Sequence, residues 1–334
     1  MDNITHSLVG AVLGQAGLKK KTGLAMPALI IGANLPDVDA ACFFWLEGTE
    51  HLGFRRGITH GPPAMVLLPL ILAGLLWAFD RWQEKRGQGR FGRPEGRLPV
   101  NFKWLFLLSF IGCLSHPALD WLNVYGIRLL EPFSSQWFYG DTLFIIDVWL
   151  WALLIGSVCW SLRSEKRGGN WTRPAWVGIA GGLAYIGMNG LISASASEDA
   201  NRAAQATDFL EHGHAIIASP VPLAFWERET IYSSALLIED FSAATWKVGN
   251  WSFFGGMAGE VILPVRPCNW AGLEEQRRTN PQLDAFLFWS RAPFATRAED
   301  GSVVLHDARF YDPRARDRFS VALPDVECEE LPVP

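Results

Sequence analysis

The sequence has little charge and few cysteines. Only 19% of its 334 residues are charged, whereas 49% are hydrophobic and 16 are tryptophan. This composition is unusual for a soluble protein and favours a membrane protein with a soluble portion. The five cysteines show no CxxC spacing, which argues against a thiolate zinc site and against a thioredoxin-like pair.

Basic side chains are scarce in the C-terminal part. Residues 1–194 carry 17 basic and 13 acidic side chains, whereas residues 195–334 carry 12 and 21. Because contacts with nucleic-acid phosphates need a basic surface, this acidic tail argues against a nucleic-acid partner. No basic residue precedes Lys19, so the start of the chain lacks the positive region of a secretory signal and we expect it to be retained.

Apolar runs in residues 1–194 indicate membrane helices. Two short runs, 7–18 and 24–35, flank three lysines and predict a helical hairpin. Four longer runs are typical of membrane spans: 65–79, 104–121, 143–162 and 176–193. The positive-inside rule places three Lys- and Arg-rich loops in the cytoplasm, 19–21, 80–103 and 163–173. Alternation then places three segments on the outer side: 36–62, 123–142 and the tail.

From residue 195 onward, short alternating runs broken by turn signals indicate strands. The predicted strands are 215–217, 230–238, 246–254, 260–265, 285–289, 302–305 and 319–323. Glu299, Asp300 and Gly301 are typical of a hairpin turn. The sequence therefore predicts an α-helical multi-span membrane domain, a helical bundle formed by residues 1–194. A strand-rich α+β soluble domain, residues 195–334, follows it outside the cytoplasm.

His116 and Asp120 lie four residues apart at the end of an apolar run. In a helix this spacing puts both side chains on one face, about one turn apart, where they could hold a metal ion. Ionisable groups inside a membrane are costly and usually functional. The alternative is a His–Asp hydrogen bond that only satisfies two polar groups between helices.

Four polar clusters fall on the predicted outer side. They are Asp2 with His6, Asp37 with Asp39, His51 with His60, and His116 with Asp120, and Asp141 and Asp147 are close by. Imidazole and carboxylate are the ligands of zinc and similar divalent ions in hydrolytic sites. Convergence of several segments favours a metal site, since a structural pair needs only two members. Either Asp37 or Asp39 could ligate while the other accepts a hydrogen bond from a ligand histidine.

Arg55 and Arg56 precede His60 in the segment 55–61. A guanidinium pair suits phosphate, which arginine binds through two parallel hydrogen bonds. The alternative is that both arginines lie at the level of the lipid headgroups and contact lipid phosphates without specificity.

Five motifs resemble, in order and spacing over roughly residues 1–190, those of the YdjM-like inner-membrane family, which is regarded as a family of metal-dependent hydrolases. The motifs are Met1–His6, Asn34–Asp39, Arg55–His60, His116–Trp121 and Tyr139–Asp147. That family is similar, distantly, to zinc-dependent phospholipase C and to single-strand-specific nucleases of the same fold. Those enzymes bind a zinc cluster inside a helical bundle.

The resemblance implies a particular ligand set. Asp39, His60, His116 and Asp120 would form the primary metal site, with His6 sharing Asp120 towards a second ion. The implied cofactor is a divalent metal, zinc, as one or two ions. A third site would need two further histidines and a glutamate, which the sequence does not offer downstream. Further acidic candidates are limited to Asp2, Asp141 and Asp147.

The resulting hypothesis is a multi-pass hydrolase of the bacterial inner membrane, phosphodiesterase- or phospholipase-like. Asp37 would act as general base or orient a ligand, and Arg55 and Arg56 would bind the substrate phosphate. A site at the outer face suggests membrane lipid as partner and a phosphoester of a lipid or a lipid-linked molecule as substrate. The alternative is a non-enzymatic membrane protein, an ion or proton pathway or an anchor for an interaction domain, with a structural His/Asp network.

Overall fold

A computed structural model describes the chain except for residues 88–89, 207–215, 234–245, 264–267, 270–272, 313–317, 328 and 331–334. The chain forms two compact units. The first comprises Met1–Asp39 and Arg56–Met188, and the second comprises Ala40–Arg55 and Asn189–Pro334. The second unit thus takes in Ala40–Arg55, a segment that the sequence analysis assigned to the membrane domain. Three predicted strands extend outside the described residues, at 215, 234–238 and 264–265.

The N-terminal region is helical, as predicted. Its helices are α1 (Asn3–Gln15), α2 (Ala25–Asn34), α3 (Glu50–Phe54), α4 (Pro62–Arg86), α5 (Phe102–Trp121), α6 (Val148–Lys166) and α7 (Thr172–Ala206). Short 3-10 segments connect them at Leu18–Lys20, Leu35–Phe44 and Ile58–His60. The first two α-helices pack together as the expected hairpin, with the lysines at its turn. Helix α4 begins at Pro62. Proline is favoured in a first turn because the N–H that it lacks would have no hydrogen-bond partner within the helix there.

Four segments of the described chain are long and apolar enough to cross a membrane: Ala25–Phe44, Pro62–Arg86, Phe102–Trp121 and Thr172–Gln205. These bear out the prediction of a multi-span region. The predicted span 143–162 is not among them. Helix α6 begins only at Val148, where Asp147 caps it, and its last turns carry Arg163, Glu165 and Lys166.

Helices α2 and α5 form the centre of the first unit. Their buried apolar side chains share one core, which includes Leu29, Leu105 and Leu108. The two backbones come close because glycines face the partner helix. A Cβ at Gly112 would lie 2.6 Å from the carbonyl oxygen of Leu29, and a Cβ at Gly32 would lie 2.7 Å from that of Ser109. Such small residues allow close helix packing in membranes.

Residues 122–147 form a polar connection that folds back on α5. The amides of Thr142 and Leu143 both donate to the carbonyl of Leu122, at 2.8 and 2.9 Å. The amide of Arg128 donates to the carbonyl of Arg56 at 2.9 Å. Burial lowers the pKa of the Arg128 guanidinium, and its pairing with Glu131 works in the opposite direction. The connection therefore ties α5 to the segment that carries Arg56.

The second unit is rich in antiparallel strands. Its strands are β1 (Ile216–Pro220), β2 (Glu227–Ser233), β3 (Trp246–Ser252), β4 (Gly256–Leu263), β5 (Cys268–Asn269), β6 (Pro293–Arg297), β7 (Ser302–Asp307), β8 (Ser320–Glu327) and β9 (Glu329–Glu330). Strands β1 to β4 form one sheet in sequential order, β6 to β8 form a second, and β5 pairs with β9. Two helices, α8 (Leu273–Thr279) and α9 (Pro281–Trp289), complete it.

One predicted strand in this unit is wrong. Residues 285–289 belong to α9, which Asn280 caps and Pro281 opens. The buried side chains of Leu283, Phe286 and Trp289 recur every three residues, which is a helical spacing. The predicted turn at 299–301 is confirmed, but the strand before it, β6, was not predicted.

Candidate metal centre

His116 and Asp120 lie on one face of α5, as the spacing predicts. Both side chains are fully buried, and Nε2 of His116 lies 3.6 Å from Oδ2 of Asp120. Helix α5 runs through Pro117 without a break. The other ring nitrogen of His116, Nδ1, lies 2.7 Å from the carbonyl oxygen of Ala33 on α2. A carbonyl only accepts, so Nδ1 carries the proton and Nε2 keeps its lone pair for a ligand.

Asp37 and Asp39 come from the 3-10 segment that follows α2. Oδ1 of Asp37 lies 3.7 Å from Nε2 of His116. Oδ2 of Asp39 accepts from the amide of Arg56 at 2.8 Å and from the hydroxyl of Thr59 at 3.1 Å. Of the two carboxylates, Asp37 therefore faces His116, whereas Asp39 supports the segment that carries His60. The family resemblance implied Asp39 as the ligand, whereas this geometry favours Asp37, the alternative that the sequence left open.

His60 is held by a relay of polar groups. Its Nδ1 lies 2.9 Å from Oγ1 of Thr59 and 3.6 Å from Oδ2 of Asp39. Since the Thr59 hydroxyl donates to Asp39, its oxygen is left to accept from Nδ1 of His60. Nε2 of His60 then points a lone pair at Asp120, 3.8 Å from Oδ2. Such a second partner fixes the tautomer of a ligand histidine.

Asp120 is the hub of the site. His6 places Nε2 3.3 Å from Oδ1 of Asp120, and its ring stacks on that of His116 with the centroids 3.8 Å apart. The α-amino group of Met1 also donates to Oδ1. On the other oxygen, Nε of Arg56 lies 3.0 Å from Oδ2. The predicted partners of Asp120, His6 and His116, are thus both beside it.

The donor atoms fit a divalent metal. In the described chain, one group could hold an ion, and the ligand atoms of Asp37, His60, His116 and Asp120 lie within 4.8 Å of one another. Bonds of 2.0–2.2 Å in tetrahedral geometry place ligand atoms roughly 3.3–3.6 Å apart. Three of the six separations among these atoms measure 3.6, 3.7 and 3.8 Å, which is close to that range and too long for hydrogen bonds. Among the described residues, Nε2 of His116 and both ring nitrogens of His6 have no hydrogen-bond partner.

Arg56 is built into the centre. Its φ of +56° is rare for a residue with a side chain, and the left-handed turn directs its amide to Asp39 and its guanidinium to Asp120. Nη1 donates to Oδ1 of Asn123 at 2.9 Å, and the guanidinium lies 4.4 Å from the Tyr125 ring centroid. These contacts indicate that Arg56 positions Asp120 and offsets its charge. The predicted phosphate-binding role does not follow from this geometry.

Several other predicted residues do not join the group. Arg55 belongs to the second unit and lies over the Phe43 ring, 5.5 Å from its centroid. His51 of the same unit has Nδ1 2.8 Å from the carbonyl of Gly48. Asp2 caps α1 through the amides of Ile4 and Thr5.

The remaining acidic candidates lie in the polar connection. Asp147 caps α6 and accepts from the hydroxyl of Tyr185 at 3.0 Å. Asp141 has a φ of +47° and lies outside the group of four. Asp147 therefore has a structural contact that accounts for its carboxylate.

Sequence reasoning missed two kinds of residue. Thr59 lies inside a motif that was singled out, so its proximity to His60 was the available signal. Asn123 and Tyr125 follow α5 and pack against Arg56, and no pattern in the sequence marks them.

Asp37 connects the group to the surface. It is the partly exposed member, at 11% exposure, whereas the side chains of His60, His116 and Asp120 are fully buried. It borders a depression of about 380 Å³ on the surface of α1 and α2. The depression is lined by Asn3, Ile30, Ile31, Asn34, Leu35, Asp37 and Val38. Amide and carboxylate groups thus share this surface with aliphatic side chains.

Comparison with known proteins gives a family match and a curated relative. The model of the YdjM inner membrane protein family matches residues 1–196. The chain belongs to this family. The match covers every segment that carries the His/Asp group, and it leaves the strand-rich region outside. The family match and the four apolar segments together show a membrane protein.

One curated relative is similar over part of the chain. The uncharacterized protein YfhP of Bacillus subtilis (strain 168) is 26% identical over 145 residues, which is 41% of this chain and 39% of YfhP. The chain therefore spans well under half of the length of that relative. No solved structure matches the chain.

Proposed function

We propose that this protein is a metal-dependent hydrolase that cleaves a phosphoester of a membrane lipid or a lipid-linked molecule. The observation that carries the proposal is the convergence of Asp37, His60, His116 and Asp120 from three separate segments. A buried structural pair needs two members, whereas four histidine and aspartate ligand atoms within 4.8 Å of one another are typical of an ion site. A divalent cation bound there would supply a Lewis acid and lower the pKa of a water molecule.

Other residues of the chain have separate roles in the proposed site. Thr59 and the carbonyl of Ala33 fix the tautomers of His60 and His116, so that both Nε2 atoms face Asp120. Arg56 holds Asp120 in place. Asp37 borders both the group and the surface depression, so it is our candidate to accept the proton of the attacking water. One carboxylate oxygen is enough for a ligand bond, which leaves the other for this role.

The depression beside Asp37 supports the proposed substrate class. Its aliphatic side chains, among them Ile31 and Val38, suit an acyl or prenyl chain, and its amides suit a polar headgroup. Because the lining belongs to an apolar segment that could cross a membrane, an amphiphilic phosphoester would reach Asp37 from the bilayer. We further propose that the strand-rich region lies outside the cytoplasm, on the basis of the Lys- and Arg-rich loops.

An ion or proton pathway is the second candidate that the sequence allowed. Such a pathway requires ionisable residues spread through the depth of the membrane. Asp80, a buried carboxylate outside the group, pairs with Arg97 and Arg93 at the far end of α4, and so has its own structural partners. The clustering favours a hydrolytic site.

The test compares His116→Ala with His51→Ala. Both variants lose one imidazole, but His51 contacts its own backbone turn in the second unit. We expect stoichiometric zinc, manganese or iron in the purified protein and in His51→Ala, and loss of the metal in His116→Ala. Phosphodiester cleavage in reconstituted vesicles should follow the metal content. If the unaltered protein carries no metal, or if His116→Ala retains it, the His/Asp group is structural and the proposal fails.

A further inference from the structure

The sheet β1–β4 ends in an exposed apolar tip, which we define as Leu223, Phe253 and Phe254. Leu223 lies in the β1–β2 connection and is 65% exposed, and Phe253 and Phe254 lie in the β3–β4 turn and are 59% and 82% exposed. The two connections lie together, since the amide of Phe253 donates to the carbonyl of Trp226 at 2.9 Å. Clustered aromatic side chains at a turn cost solubility, so such a surface marks a site of interaction.

Strand β2 lies along α7 within the second unit, and this fixes the direction in which the tip points. At the start of β2, Arg228 donates through Nε to Ser193 at 2.8 Å and through Nη2 to the carbonyl of Asn189 at 3.0 Å. At its other end, Tyr232 packs against Ala200 and Ala204. The strand therefore runs parallel to the helix axis. The N-terminal end of β2, where the tip lies, is next to the start of the α7 segment that runs from Asn189 to Ala204.

The same stretch of α7 continues an apolar segment. After Arg173, no charged residue occurs in α7 until Glu198. A helix needs about 20 apolar residues to cross the hydrocarbon core, so the bilayer surface falls near Ser193. Beyond that level α7 carries Glu198, Asp199 and Arg202, and the side chains of Glu198 and Arg202 are exposed. The tip is thus at the level at which α7 leaves the membrane.

We propose that the tip inserts into the bilayer, with Leu223, Phe253 and Phe254 among the lipid chains of the leaflet that α7 leaves. Phenylalanine and leucine are typical of surfaces that bury themselves at the boundary between lipid headgroups and acyl chains. Within the described residues, two charged side chains lie at the start of β2 next to the tip: Glu227, which is exposed, and Arg228. Both belong to the strand, whereas the three tip residues lie in the connections beyond the strand ends. Arg228 is 1% exposed, and its donors are spent on α7 and on the carbonyls of Phe225 and Glu227. This proposal does not depend on the proposed hydrolase.

The test uses two positions of one hairpin in the full-length protein reconstituted in vesicles. A fluorescent amino acid is introduced at Phe254 or, as the control, at Ile262. Ile262 is also an exposed apolar residue, 51% exposed, but it lies at the opposite end of the β3–β4 pair, beside Lys247. We expect quenching of position 254 by lipids with brominated chains and loss of its quenching by aqueous iodide. Position 262 should show the reverse.

Two outcomes would overturn the proposal. If iodide quenches position 254 as strongly as position 262, the tip is in water. If neither quencher reaches position 254, a protein surface, either a second copy of the chain or another partner, covers it instead. As a second measurement, replacing Phe253 and Phe254 by serine should increase iodide quenching of the same probe at Leu223. No such increase is expected when Val261 and Ile262 are replaced by serine.

Discussion

Gly112 brings α5 against α2, and it also determines how His116 meets the rest of the metal centre. One turn separates Gly112 from His116, whose Nδ1 lies 2.7 Å from the carbonyl of Ala33 on α2. The substitution Gly112→Ala adds a Cβ that would lie 2.6 Å from the carbonyl oxygen of Leu29 and 3.0 Å from the amide nitrogen of Ala33. Both neighbours are backbone atoms, so the helices themselves must separate.

The size of the effect follows from these distances. An ordinary contact of a Cβ begins near 3.4 Å, so α2 must move by about 0.8 Å at Leu29. The same shift would lengthen the His116–Ala33 contact from 2.7 Å to about 3.5 Å, beyond a hydrogen bond. Overpacking of this kind costs about 1–3 kcal/mol of unfolding free energy. Loss of a group that orients a ligand weakens metal binding roughly 10- to 100-fold.

The measurement is the dissociation constant for zinc, obtained by competition with a chelator, together with the thermal unfolding midpoint. Gly74→Ala on α4 is the matched control, because a Cβ there meets no atom within 4 Å. We expect weaker metal binding and a lower midpoint for Gly112→Ala and neither change for Gly74→Ala. Equal zinc affinity in both variants would refute the reasoning that the glycine contact sets the geometry of His116.

Three further predictions concern single side chains. Asp39→Asn should weaken zinc binding about 10- to 100-fold without abolishing it, because Asp39 acts through His60 and is not in the group of four. A complete loss of metal would contradict this prediction. Asp147→Ala should leave the metal content unchanged and lower stability by about 1 kcal/mol, the usual effect of a lost N-cap, as read from thermal unfolding. Burial, with a contribution from Asp312, raises the pKa of Glu229 to about 7. Its carboxyl therefore binds more protons in the folded state than in the unfolded state. The free energy of unfolding should fall as the pH rises from about 4.5 to 7. Glu229→Gln should flatten that dependence in unfolding measured between pH 4.5 and 8, and exposed Glu227→Gln on the same strand should not.

The membrane helices were predictable because apolar runs and proline positions act locally. Pro62 opens α4, and α2 ends at Asn34, two residues before Pro36. For the run 143–162 only the start of the helix was predicted too early, since apolar residues alone do not show that Asp147 is used as a cap. In the second unit, residues 285–289 are apolar enough for a strand, and the decision for a helix depends on the cap at Asn280.

Part of the His/Asp group was predictable from the sequence, but the roles within it were not. Spacing alone paired His116 with Asp120, and the motifs brought His6 and His60 to them. The choice between Asp37 and Asp39 depends on the 3-10 path of the backbone after α2, which a sequence pattern does not specify. The position of Arg56 depends on its left-handed φ, which is rare for arginine and therefore not expected.

The ion pair between Arg56 and Asp120 bears on how the protein would respond to changes in metal supply. The deepest carboxylate of the centre already has a cation of the chain beside it, at 3.0 Å, so it does not depend on a bound ion for charge compensation. If an ion binds there as we propose, its removal should leave α5 and its neighbours folded and the ligands in place. Chelation and reloading would then be reversible, and exchange of one divalent ion for another would need no refolding of the membrane domain.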